Sequence, residues 1–172
     1  MDRKNIMKNL KYALRFLPDE IYMKLYFRLR LKRQLDLDNP KSFNEKLQWL
    51  KLNDRNPKYT NIVDKYRVRE YIKNTIGEEY LIPLLGVWDN FEEIKFDELP
   101  EKFVLKCNHD SGGLSICTDK SKFDIEKARK KIEKSLKCQF YYIGREWQYK
   151  NIKRKIICEQ FIGDENNIPP ID

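Results

Sequence analysis

The sequence predicts a mixed α/β (α+β) chain: helices first, then a glycine-looped β-hairpin and a further strand. Three stretches carry this reading. Ser42-Phe43-Asn44-Glu45 is an S-x-x-E capping box ahead of an apolar, helix-spaced run. Phe103-Val104-Leu105 and Leu114-Ser115-Ile116-Cys117 are β-favouring segments joined through a loop that ends in Gly112-Gly113. Lys155 to Gly163 is a second apolar strand pattern, closing on glycine.

Composition sets the frame. The chain has 172 residues, 41% of them hydrophobic and 13% aromatic, enough to build a real core and too apolar for disorder. No apolar run approaches the roughly 18 residues of a membrane span. The first twenty residues have charges spread through them, so they lack a signal-peptide core. Cys107, Cys117, Cys138 and Cys158 form no C-x-x-C pair; they read as buried thiols rather than a disulfide framework or zinc site. The net charge is +8, and residues 1–35 hold ten Lys/Arg against three Asp/Glu, or +7 of it. A basic end on a nearly neutral body does not match a nucleic-acid groove.

Taken in order, residues 4–16 and 19–34 are expected to be helical, with Pro18 between them and Asp19 and Glu20 in the first turn of the second. Ile21, Leu25, Leu29 and Tyr22, Tyr26, Arg33 form helix-spaced rows, with Lys24, Arg28, Arg30 and Lys32 around them. Such a helix suits either an anionic membrane surface or packing on its own domain. Asn39-Pro40 breaks the pattern before the capping-box helix through Leu47, Trp49, Leu50 and Leu52. A third helix is expected over 61–74, with Ile62, Tyr66, Arg69 and Ile72 in one row. Residues 81–88 read as a short strand in which Pro83 marks an edge or bulge. The carboxylate-rich 91–99 connects it to the hairpin. Residues 124–137 read as a helix with Ile125, Ala128, Ile132 and Leu136 inward, and 141–149 as an irregular aromatic segment. Three regions follow: a basic helical segment over 1–38, a helical region over 39–100, and a sheet region over 101–172.

The hairpin is where chemistry concentrates. Lys106 ends its first strand, and Asp110-Ser111-Gly112-Gly113 follows. Glycine permits positive φ, so the loop's N–H groups can turn toward a ligand while the lysine supplies charge. That combination can hold phosphate; it is equally a surface hairpin with a snorkelling lysine. His109, the only histidine, sits in the same loop and reads as a solvated residue or a general base. Tyr141 to Tyr149, with Arg145 and Glu146, reads as a sugar or peptide platform or as a core cluster.

The order Asp64-Lys65, then Lys106 before a glycine loop, then Ile157-Cys158-Glu159-Gln160-Phe161-Ile162 resembles the ATP-grasp superfamily. The stretches KSFNEKLQWLKLNDRNPKYT, VDKYRVREYI, IGEEYLIPLLGVWDNF and FVLKCNHDSGG resemble the TupA-like ATP-grasp family more closely, from about Lys41 to Asp172. That family is associated with making bacterial surface polymers such as teichuronopeptide and capsule, and its members are often labelled glycosyltransferases. The resemblance implies ATP as cofactor. Lys65 and Lys106 would reach its phosphates, and Asp110, Ser111, Gly112 and Gly113 would form the flap over the β- and γ-phosphates. Glu159 and Gln160 would bind the adenine amino group, Ile162 would offer its N–H to the ring, and Asp172 would take the ribose hydroxyls. From the residues alone each has a plain structural reading as well: Lys65 in a local ion pair, Glu159 in a surface bridge, Asp172 as a chain end.

The resemblance also implies what these residues do not supply. ATP-grasp chemistry needs a later segment with two Mg²⁺ ions and an arginine facing an acyl phosphate; none of those metal ligands is expected before Asp172. The sheet is therefore expected to be the first sub-domain of an incomplete ATP-grasp fold, ending at the hinge strand, unable by itself to turn over ATP, and exposing apolar strand surface around 156–162. The reaction implied is activation of a carboxylate by ATP to an acyl phosphate, followed by attack of a nucleophile. The expected partners are a nucleotide, a surface-polymer precursor or sugar or peptide acceptor, and an anionic membrane reached through residues 1–35. The expected place is the cytoplasm, at the inner face of the membrane if the basic helices dock. A non-catalytic remnant or membrane-docking module is the second reading, and a glycosyltransferase using a sugar nucleotide the third.

Overall fold

The computed structural model describes residues 11–163. They fall into two compact units, residues 11–60 with 139–151 and residues 61–138 with 152–163.

The first unit is helical. α1 (Asp19–Leu31) begins right after Pro18, with Asp19 and Glu20 in its first turn, and stops at Lys32 in the left-handed conformation. It is therefore three residues shorter than the expected 19–34. Its inward face also differs from the expected rows. Tyr22, Met23 and Phe27 are buried with Leu35, while Ile21, Leu25 and Leu29 stand exposed. α2 (Phe43–Asn53) opens on the capping box as read: Ser42 N–H donates to Glu45 at 2.8 Å and Ser42 Oγ accepts from Glu45 N–H at 3.4 Å. Within the aromatic segment 141–149 Tyr141 and Arg145 are buried and the other side chains are half-buried. α6 (Tyr141–Gly144) ends at Arg145, a buried cation 4.4 Å from the Tyr22 ring that donates to Asp19 at 3.1 Å and to the Leu14 carbonyl at 2.9 Å.

The second unit is built on a four-stranded antiparallel sheet, β1 (Leu84–Trp88), β2 (Phe103–Cys107), β3 (Leu114–Cys117) and β4 (Ile156–Gln160), in the order β1-β4-β2-β3. β1 is an edge strand as Pro83 suggested, with its register shift between Leu84 and Gly86. Strand alternation sorts the side chains. Phe103, Leu105, Cys107, Cys117, Ile156 and Cys158 face one way and form the core with Phe91, Ile94 and Leu99. α5 (Ile125–Leu136) covers that face with Ala128 and Ile132; Ile125, expected inward, is exposed. Each large side chain so buried contributes about 1.5–3 kcal/mol. Burial pushes the Cys107 thiol up to about 11 and the Cys158 thiol up to about 12, so these are core groups and not nucleophiles. The opposite face carries Val104, Lys106, Leu114, Ile116, Ile157 and Glu159 by the same alternation.

Two expectations fail here for physical reasons. The single helix over 61–74 is broken: α3 (Lys58–Val63) and α4 (Val68–Thr75) are separated at Asp64, whose carboxylate accepts from the N–H groups of Tyr66 at 2.9 Å and Arg67 at 3.3 Å. An aspartate competing for backbone donors ends one helix and starts the next. The strand surface expected to be open over 156–162 is closed over 156–159, though not at Ile162. β4 lies inside the sheet, and Ile156, Ile157 and Cys158 are wholly buried.

Asn108 ties the Asp64 turn to the sheet. Its main chain accepts from Lys65 N–H at 3.0 Å and donates to the Lys155 carbonyl at 3.1 Å. Its buried carboxamide donates to Asp64 at 2.9 Å and to the Lys153 carbonyl at 3.0 Å, and accepts from Lys155 N–H at 2.8 Å. Asn108→Ala strands these groups in a dry site, so it is expected to cost about 3 kcal/mol. Urea unfolding of the variant beside wild type checks this; an unchanged midpoint refutes it.

Candidate functional site

The site is the second face of the sheet, where β2 runs into the glycine loop. Lys106, half-buried, pairs with Glu159, its diagonal neighbour on β4. Arg69 of α4 reaches the other oxygen of Glu159 at 3.2 Å, and also donates to the Ile82 carbonyl at 2.6 Å. A buried carboxylate thus sits between two cations. Lys65, in the turn before α4, donates to the carbonyls of Asp110 and, at 3.4 Å, of Cys107. Burial holds the Lys65 ammonium below the usual lysine range, and the positive charge of Lys106 adds to this against the pull of Asp110. Two cations therefore share one carboxylate, with Lys65 close enough to feel the charge of Lys106, beside an apolar floor of Val104, Leu114 and Ile116, the last 39% exposed. The floor can take a flat ring, and the excess positive charge an anion such as phosphate.

The flap residues divide into anchors and a tip. Asp110 is buried: its carboxylate accepts from Ser135 on α5, and its carbonyl is taken by Lys65. Gly113 lies against the same serine, and a Cβ there would come within 2.2 Å of Ser135 Oγ. Ser111 and Gly112 are exposed, and Gly112 has φ +101°, which only glycine adopts freely. So the loop is fixed at both ends and free over two residues.

Glu159 and Gln160 point to opposite faces, so Gln160 offers the Lys106 face only its main chain, and its N–H already donates to Pro83 at 2.9 Å. Ile162 is 48% exposed beyond the strand. Asp172 lies outside the described residues. Sequence reasoning missed Arg69 as a site residue, reading it as part of a helix row, and missed Asn108 and Ser135 altogether.

His109 is not solvated, contrary to one expectation. It is 1% exposed; its Nε2–H donates to the Cys138 carbonyl at 3.1 Å, and Nδ1 meets no partner. Asp36-Leu37-Asp38 is a D-x-D triplet, the pattern by which the glycosyltransferase reading would hold a metal and diphosphate. Its first carboxylate is spent on a turn, accepting from Asp38 N–H at 3.0 Å and Asn39 N–H at 2.9 Å.

Against known families, residues 45–170 match the model described as TupA-like ATPgrasp. The chain belongs to the TupA-like ATP-grasp family. That match starts at Glu45 within the capping-box helix and takes in both lysines, the loop and β4, and it brings with it an ATP-grasp-like ligase domain in general. No curated protein and no solved structure matches the chain. The convergent cations fit the nucleotide that the family implies. Mg²⁺, its usual companion, finds no ligand set among the described residues, where no group of three or more His, Cys, Asp or Glu side chains could hold a metal ion.

Burial holds the His109 imidazole below its ordinary pKa, with the Arg154 charge adding to this and Asp110 opposing it. The folded state keeps it neutral, while the unfolded chain takes up a proton below about pH 6.5. Stability is therefore expected to fall as pH drops through that value, by at most about 1.4 kcal/mol per pH unit from this group. His109→Gln should flatten that part of the profile. Urea midpoints for both proteins between pH 7.5 and 5 check it; parallel profiles remove His109 as the cause.

Proposed function

We propose that this chain carries the nucleotide-binding part of an ATP-grasp ligase-like enzyme that acts on a precursor of a cell-surface polysaccharide or peptide polymer. The observation that supports it most directly is Lys106 and Arg69 on the shared carboxylate of Glu159, with Lys65 on the carbonyls of a glycine loop that has a free two-residue tip. In this reading Lys106 exchanges Glu159 for phosphate oxygen, and Glu159 keeps Arg69 as partner. Lys65 holds the loop by its carbonyls, and the N–H groups at Ser111 and Gly112 face the phosphates. Adenine lies on the Val104–Ile116 floor, with Ile162 offering its N–H and Asp172 the ribose contact. Bound ATP supplies a transferable phosphoryl group for making an acyl phosphate on a carboxylate substrate.

Lys106→Ala is expected to weaken ATP binding about tenfold or more, the value of a charge-assisted contact in a partly closed site. Lys65→Ala should cost less, because that ammonium is already spent on two carbonyls. Isothermal titration with ATP checks both. Equal affinity of wild type and Lys106→Ala takes Lys106 out of the site.

A second reading, docking on an anionic membrane surface, is favoured by α1. Ile21, Leu25 and Leu29 are 55%, 41% and 59% exposed along one side, with Lys24, Arg28 and Lys32 beside them. Among the described residues no helix is long and apolar enough to cross a membrane. Phosphatidylserine-containing vesicles should retain the protein at low salt and release it as salt rises. Replacing all three apolar residues by serine should abolish retention; retention at the wild-type level would make the stripe an ordinary surface.

A further inference from the structure

The nucleotide reading uses the side chains of Leu114 and Ile116 but leaves the outer main-chain edge of their strand unused. β3 is an edge strand, paired with β2 on one side only. Cys107 N–H donates to the Gly113 carbonyl at 3.1 Å, and the register continues through Leu105–Ser115 and Phe103–Cys117. In an antiparallel ladder the hydrogen-bonded pairs alternate with pairs whose N–H and C=O point outward. Leu114 and Ile116 occupy those alternate positions, so their main-chain groups face away from β2. They face a groove of about 730 Å³ between β3 and α5, lined also by Phe123 and Ala128 and by Lys127 and Lys131.

The charges of this groove are unbalanced. Lys127 and Lys131 meet no carboxylate among the described residues. Asp124 is committed to the α5 N-terminus, accepting from Lys127 N–H at 2.8 Å. Asp119 is taken by Lys122 at 2.7 Å. The acids of α5 itself, Glu126 and Glu133, turn to Arg129 at 3.3 and 3.7 Å. Two unpaired ammonium groups one helical turn apart stand about 6 Å apart along the axis. Alternate side chains of an extended peptide recur at a similar interval, roughly 6.6–6.8 Å.

We propose that this groove binds an extended acidic peptide by strand addition to β3. The outward N–H and C=O of Leu114 and Ile116 would extend the ladder, and Lys127 and Lys131 would pair with acidic side chains two residues apart. A second copy of the chain is disfavoured as occupant, because it would bring the same lysines face to face.

The test uses the full chain and a fluorescein-labelled peptide, Val-Glu-Val-Glu-Val-Glu, read by fluorescence anisotropy. Saturable binding that weakens with salt is expected. Lys127→Glu combined with Lys131→Glu should weaken it at least tenfold, and a Val-Lys peptide should bind wild type no better than free dye. An acidic peptide of equal charge interrupted by proline should also lose at least tenfold, since it cannot donate along the edge. Ile116→Pro removes an outward donor and leaves the β2 ladder intact, so with its circular dichroism unchanged it should weaken binding to a similar degree. Absence of saturation, equal binding by the double variant, or equal binding of the proline peptide each overturns the proposal. ATP at saturating concentration should leave the affinity unaltered, which separates this groove from the nucleotide face.

Discussion

The second unit depends on the satisfaction of one buried amide. Asn108 has no exposed surface and five hydrogen bonds to four residues, and those residues come from two distant parts of the chain. Through Asp64 and Lys65 it fixes the turn that aims α4, and hence Arg69, at the sheet. Through Lys153 and Lys155 it fixes the entry to β4, and hence Glu159. Through its own place at the end of β2 it fixes the start of the glycine loop. A carboxamide is suited to this because it donates and accepts at once; a carboxylate would face Asp64 with like charge, and an apolar group would leave every partner unmet.

The same economy governs Glu159. A lone carboxylate at 5% exposure would be costly, and two guanidinium and ammonium partners offset that cost. The pair of cations is in turn kept close together by the anion between them. Mutual repulsion would otherwise spread Lys106 and Arg69 apart, so the positively charged face is assembled before any ligand arrives.

Much of this was legible in the sequence. The capping box, the hairpin, β4 and the edge character of β1 follow from local rules: side-chain caps, β-branched runs, glycine pairs and proline. So does the family, because Lys65, Lys106, the loop and β4 occur in a specific order. What local rules could not give are the long-range preferences. The periodicity over 61–74 is helical throughout, and the break that Asp64 makes by capping Tyr66 and Arg67 is held by Asn108, forty-four residues later, on the same oxygen. On α1 two apolar rows compete, and only packing decides that Tyr22, Met23 and Phe27 go inward. His109 reads as a loop residue because a histidine in a polar, glycine-ended loop is ordinarily wet; it is buried instead with Cys138, just past the end of α5, as its partner. Ser135 gives no signal at all, since a serine late in a helix has many uses.

The contact between Gly113 and Ser135 carries one more implication. It leaves no room for a Cβ at one end of the loop, while Lys65 clamps the carbonyl of Asp110 at the other. Only Ser111 and Gly112 lie between these fixed points. A ligand gripped by the loop therefore has to immobilise just that pair, an entropic toll of about 2–4 kcal/mol where a long lid would demand several times as much. A closure of the loop over such a ligand would be less the swing of a door than the fall of a short latch, with travel limited to the span of two peptide units.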